Sequence, residues 1–183
     1  MKKYFVAFAV ISTAIGGGAN GLRSQTSSAS SASATFEKHF LSSVPQHHQD
    51  AIDMAQVCTQ KATHAELKSL CENIISSQSQ QKQQLQQWLQ SWYGGKSDPP
   101  AGMMEKMQAQ NVAMMAKLNA ASANEFDHIF LVSMGQHHAE GVPEFQECVA
   151  HARHPELKTL CGKMEASQKQ QITQMNAWVK AWK

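Results

Sequence analysis

The sequence predicts an all-α protein, an antiparallel four-helix bundle built from two copies of one helical hairpin plus a connecting helix. Three observations carry this. The chain aligns with itself at an offset of ninety residues without a gap, each copy carries apolar residues every three or four positions, and no stretch has the alternation of a strand.

The repeat spans 36–93 and 126–183. Phe36 meets Phe126, Phe40 meets Phe130, and His47 and His48 meet His137 and His138. Further on, His64 meets His154, the run Glu66-Leu67-Lys68 meets Glu156-Leu157-Lys158, and Trp88 and Trp92 meet Trp178 and Trp182. In all, 23 of 58 aligned positions are identical, which only a duplication explains economically.

Taken in chain order, the first element is a leader. Lys2 and Lys3 precede an apolar run from Tyr4 to Ile15, and Gly16 to Ala19 follow, so residues 1–19 have the outline of a secretory signal peptide. The run is too short for an ordinary transmembrane helix, although an uncleaved N-terminal anchor is the alternative. Residues 20–35 are mostly Ser, Ala, Thr and Gln and are expected to form a flexible tether. The helical bundle then occupies 36–183, a normal size for one domain.

In the first copy Phe40, Val44, His47, Ala51, Met54 and Cys58 share one helix face, and Leu67, Leu70, Ile74, Gln78, Gln81, Leu85, Trp88 and Trp92 mark a second. The turn between them falls near Ala62 to His64. Thr63 and Glu66 have the spacing of a capping box, and Pro155 suits the first turn of the matching helix. Gly94 and Gly95 end the first copy, and Asp98, Pro99 and Pro100 form a break. A connecting helix over 101–118 leads to the second copy.

The charge balance narrows the partners. Without residues 1–19, which hold two lysines and no acid, basic and acidic residues balance at fourteen each. That argues against a nucleic-acid partner and a polybasic membrane patch. No membrane span is expected once the leader is removed, and nothing identifies a protein partner.

Cys58 and Cys71 lie nearly equidistant from the turn, as do Cys148 and Cys161. Residues so placed face one another across an antiparallel hairpin, and an exported protein meets oxidising conditions. Of three possible pairings, symmetry selects Cys58–Cys71 and Cys148–Cys161. Thiolate metal ligands and small buried thiols remain the alternatives.

His47 and His48 diverge by about 100° around a helix and cannot readily chelate one ion together. His47 lies in the apolar stripe and His48 at its edge. If a pseudo-twofold axis relates the copies, one imidazole from each could converge at the bundle centre. Imidazole suits Cu(II), Zn and Ni, whereas the Met54 thioether suits Cu(I). Glu144 replaces Met54 in the second copy. The competing reading makes these histidines polar core residues, hydrogen-bonded to Gln78, Gln168 or backbone carbonyls. His64 and His154, at helix starts, read as turn and cap residues rather than ligands.

Half of the ten methionines, Met103, Met104, Met107, Met114 and Met115, fall in the connecting helix. Thioethers bind Cu(I), but Met103, Met107, Met114 and Leu118 also describe one apolar face that a core would use.

The strings FEKHFLSSVPQHHQDAIDMA, HAELKSLCENIISSQ and WLQSWYG, with FDHIFLVSMGQHH and HPELKTLCGKMEASQ in the second copy, resemble the domain of unknown function 305 family. The resemblance covers nearly everything from Phe36 onward. It implies a ferritin-like bundle, and in some exported members copper or silver bound through histidines and methionines. Carried over, it implicates His47, His48 and Met54 in the first copy, and His137, His138 and Met175 in the second. The chain departs from the family at Gln81 and Leu85, where Glu and Met are common, and at Gly141 to Phe145, where Pro143 is expected to kink the helix. The cysteines stand where the family has small residues.

Together these features lead to the expectation of a periplasmic or secreted metal-binding protein, with copper as the ion, acting in storage, tolerance or delivery. It is not expected to be an enzyme, since no activated nucleophile or paired-carboxylate motif appears. The alternative is a disulfide-stapled structural or interaction module of the cell envelope, without metal and with an exposed apolar patch on the methionine helix or the tryptophan ridge.

Overall fold

A computed structural model describes residues 19–182, with side-chain surroundings from residue 31 onward. Those residues form the helices α1 (Ala19–Lys61), α2 (Ala65–Tyr93), α3 (Met103–Ala120), α4 (Ala123–His151) and α5 (Pro155–Ala181). No strand occurs among them. The expected leader lies almost wholly outside the described residues. None of the described helices is long and apolar enough to cross a membrane.

The expected tether is replaced by helix, because α1 reaches back to Ala19 and includes residues 20–35. The physical reason is composition. That stretch has no proline and only one glycine, so nothing in it breaks a helix, and extending a formed helix adds one hydrogen bond per residue. Helix α4 likewise runs without interruption through Pro143.

Helices α1 and α2 pair along their length, as do α4 and α5, while α1 packs on α4 and α3 lies across both. Two apolar cores result. One joins Met54, Cys58, Leu67 and Ile74 to Phe126, Phe130 and Met134. The other joins Phe40, Leu41, Val44 and Leu85 to Phe145, Cys148, Leu157 and Met164. Since the middle of α1, at Phe40 to Val44, meets the end of α4 and the end of α1 meets the start of α4, the two helices run antiparallel. The histidine pairs fall between the two cores on both helices. Phe126, Phe130 and Phe145 are fully buried, each contributing about 1.5–3 kcal/mol of transfer free energy.

The symmetric cysteine pairing is borne out. Cys58 is bridged to Cys71 and Cys148 to Cys161, with Cα separations of 6.2 and 6.1 Å, and no described cysteine is free. Gly94 and Gly95, at φ of 67° and 73°, end α2 in the left-handed region, and Pro155 starts α5 as expected.

The capping box does not form. His64 is the N-cap residue of α2 and no side chain caps that helix locally. Instead Asp127 of the second copy accepts hydrogen bonds from the Thr63 and His64 amides, the Thr63 hydroxyl and the His64 Nδ1 (2.6 Å). Glu37 of the first copy does the same for the second turn, accepting from the Arg153 and His154 amides and from His154 Nδ1 (2.7 Å), with Tyr93 Oη at 2.6 Å. Glu37 and Asp127 are repeat mates. Each copy therefore caps the other's turn, and a buried carboxylate with several charge-assisted donors outcompetes an exposed glutamate one turn away. Trp182 stacks on His64 at 3.8 Å and Trp92 on His154 at 3.7 Å, which makes these histidines structural, as the spacing indicated.

Candidate metal centre

The expected convergence of one imidazole from each copy is present. His47 of α1 and His137 of α4 stack with centroids 4.0 Å apart at the crossing of the two helices. Both ring nitrogens of His47 and Nδ1 of His137 are buried without a hydrogen-bond partner. Burial pushes His47 down to about 4, and pushes His137 well below the ordinary imidazole range with help from the imidazoles around it. Both are therefore neutral at pH 7, the form that carries a lone pair for a metal.

A cavity of about 40 Å³ opens beside this pair. Its walls are His47, Asp50 and Met54 from α1, Met107, Gln110, Asn111 and Met114 from α3, and His137 and Glu140 from α4. Helical spacing explains the set, because 47, 50 and 54 share a face of α1, and 107, 111 and 114 share a face of α3. Asp50, itself hydrogen-bonded by Gln46 Nε2 at 2.8 Å, is raised by burial to about 6. The Asn111 Oδ1 is another buried atom with no partner.

This space accepts one ion or one or two waters. Among the described residues no three His, Cys, Asp or Glu side chains gather as metal ligands, so an ion here must draw on thioethers. Two neutral imidazoles and three thioethers form a soft donor set suited to Cu(I), and Asp50 and Glu140 add oxygens of the kind Cu(II) accepts. The buried ring nitrogens without partners fit such an ion, since buried polar atoms are seldom left unsatisfied.

The other expected ligands lie elsewhere. His48 and His138 are fully buried, but neither lines the cavity. Each places Nε2 against a glutamine Oε1, His48 on Gln81 at 2.9 Å and His138 on Gln171 at 2.7 Å. The polar-core reading thus holds for this outer pair, with the glutamine partners one turn beyond the expected Gln78 and Gln168, whose own Oε1 atoms are unpaired. Met175 is fully buried in the first apolar core and lines neither the cavity nor the cleft beside it. Met107 and Met114 are the donors that sequence reasoning set aside as core, and Asp50, Asn111 and Glu140 passed unremarked. Their one available signal was the shared helix face.

Residues 37–179 match the family described as domain of unknown function DUF305. The chain belongs to this family. CopM in its Cu(I)-bound form is similar, with 31% identity and a TM-score of 0.69 over 80% of this chain and 96% of CopM. Its Cu(II)-bound form gives 30% identity and 0.69 over 80% and 97%. A DUF305 protein of Streptomyces coelicolor, described as secreted, gives 26% and 0.67 over 76% and 89%. No curated protein matches the chain.

Proposed function

We propose that this DUF305 protein is an exported copper-binding protein that holds the ion between α1, α3 and α4, for storage, tolerance or delivery rather than catalysis. The observation that carries this is the meeting of His47 and His137, with buried unpartnered nitrogens, and the thioethers of Met54, Met107 and Met114 around one ion-sized cavity. Copper as the cargo is supported by CopM, a relative solved with Cu(I) and with Cu(II) bound. The scaffold alternative predicts a contiguous exposed apolar patch on α3 or the tryptophan ridge. Among the described residues the exposed large apolar side chains are Val112 and Val149, on different helices.

Titration of the purified protein with Cu(I) against a competing chelator tests the reading. Near-stoichiometric binding is expected, weakened at least about ten-fold (about 1.4 kcal/mol) by His47→Ala or His137→Ala. Equal binding by the wild type and the double variant would sink it.

A further inference from the structure

A wider cleft of about 530 Å³ adjoins the ion-sized cavity and opens to solvent. His47, Met107, Gln110 and Glu140 line both spaces. The cleft adds Met103 and Lys106 from α3 and Glu144 from α4. Met103 and Met107 are one helical turn apart and so share a face of α3, with Met114 two turns further along it. The thioethers thus form a ladder, from Met103 at the open end, through Met107 at the junction, to Met114 and Met54 inside.

We infer that this cleft is the route by which a soft monovalent cation reaches the inner cavity, with Met103 as an outer landing site and Met107 as the ligand shared by both ends. The inference rests on the proposed function. Three observations support it. The ring nitrogens of His47, buried and without partners, belong to a residue that forms a wall of both spaces, so cleft and cavity meet at an unsatisfied donor. Charge favours cations without choosing among them, because Glu140 and Glu144 line the cleft against one lysine, Lys106, and Ser43 Oγ donates to Glu144 at 3.1 Å. Selection therefore falls to the thioethers, which prefer soft ions. Finally, the route exists on one side only. The repeat mate of Glu144 is Met54, fully buried, and α3 lies outside the duplication, so the pseudo-twofold is broken where the cleft opens.

The test follows Cu(I) transfer from a coloured bidentate chelate to the full protein, reading the rate from the loss of colour and the affinity from the end point. Met103→Leu keeps the volume and removes the ligand. It is expected to slow uptake about five-fold, equivalent to about 1 kcal/mol on the barrier, and to slow release equally, leaving the end point unchanged. Met104→Leu, next door but lining neither space, is expected to leave both unchanged. An unchanged rate in Met103→Leu, or equal slowing in Met104→Leu, would overturn the route while leaving the inner site standing. A lost end point in Met103→Leu would make it a ligand of the final site and also overturn the route. A wild-type protein that takes up no Cu(I), or whose end point ignores His47→Ala, would overturn the proposed function and the route with it.

Discussion

Gly141 sets how closely α4 approaches His47. A Cβ built there would lie 2.9 Å from His47 Cε1, 3.1 Å from Gln168 Oε1 and 3.3 Å from Phe145 Cζ. His47 cannot simply retreat, because His137 is stacked against it. Gly141→Ala should therefore displace the imidazole. Overpacking of this kind costs about 1–3 kcal/mol, of which improved helix propensity returns up to about 1 kcal/mol. The expected result is a lower melting temperature and a Cu(I) affinity at least about ten-fold weaker by chelator competition. Gly135→Ala, on the same helix with nothing within 4 Å of the added carbon, should instead leave binding intact and raise stability slightly. The repeat mate of Gly141 is Ala51, so the sequence did display this difference between copies. Its meaning depended on which imidazole the methyl would meet, and no local pattern carries that. His48 teaches the same lesson, since the helical wheel put it at the edge of the apolar arc and the crossing of α1 with α4 buries it completely.

At the scale of elements, the hairpins, their turns and their disulfides were readable because each depends on contacts close in sequence. The reciprocal caps were not, because Glu37 and His154, or Asp127 and His64, meet only after the two hairpins dock. Phe36-Glu37 and Phe126-Asp127 were nonetheless a repeated aromatic-acid pair, and an acid kept in both copies beside an aromatic was the available signal. Burial pushes both carboxyls up. Tyr93, His154 and Arg153 outweigh it at Glu37, and Thr63 and His64 outweigh it at Asp127, so both are held below their ordinary values. Unfolded, they titrate near 4.5 and 3.8. Their contribution is complete above those values and is lost as the pH falls through the lower folded ones. Glu37→Gln and Asp127→Asn should each lower stability by about 1.5–3 kcal/mol at pH 7, the range for hydrogen bonds to a charged group. Chemical denaturation repeated towards pH 3 should show the gap to wild type closing, and a gap that stays constant would mean the carboxylate charge is not what matters.

In the whole molecule, the duplication builds two cores and a symmetric seam between them, and α3 then covers one side of that seam. This helix is the least securely packed of the five, with Leu118 its one buried residue and its methionines half-buried against α1 and α4. Lys61 Nζ holds its far end by donating to the carbonyls of Leu118, Asn119 and Ala121 at 2.9–3.1 Å. The cavity lies along the remaining length, where Met107 and Met114 face His47 and His137. An ion bound there would tie α3 to both hairpins at once. Ligand at a hundred times its dissociation constant stabilises the folded state by about 2.7 kcal/mol, and the effect should concentrate where the free protein opens most easily. Amide hydrogen exchange is therefore expected to slow most over Met103 to Leu118 when Cu(I) is added, with little change in α2 and α5. Protection spread evenly over all five helices, or confined to the disulfide-bridged turns, would place the ion somewhere other than beneath α3.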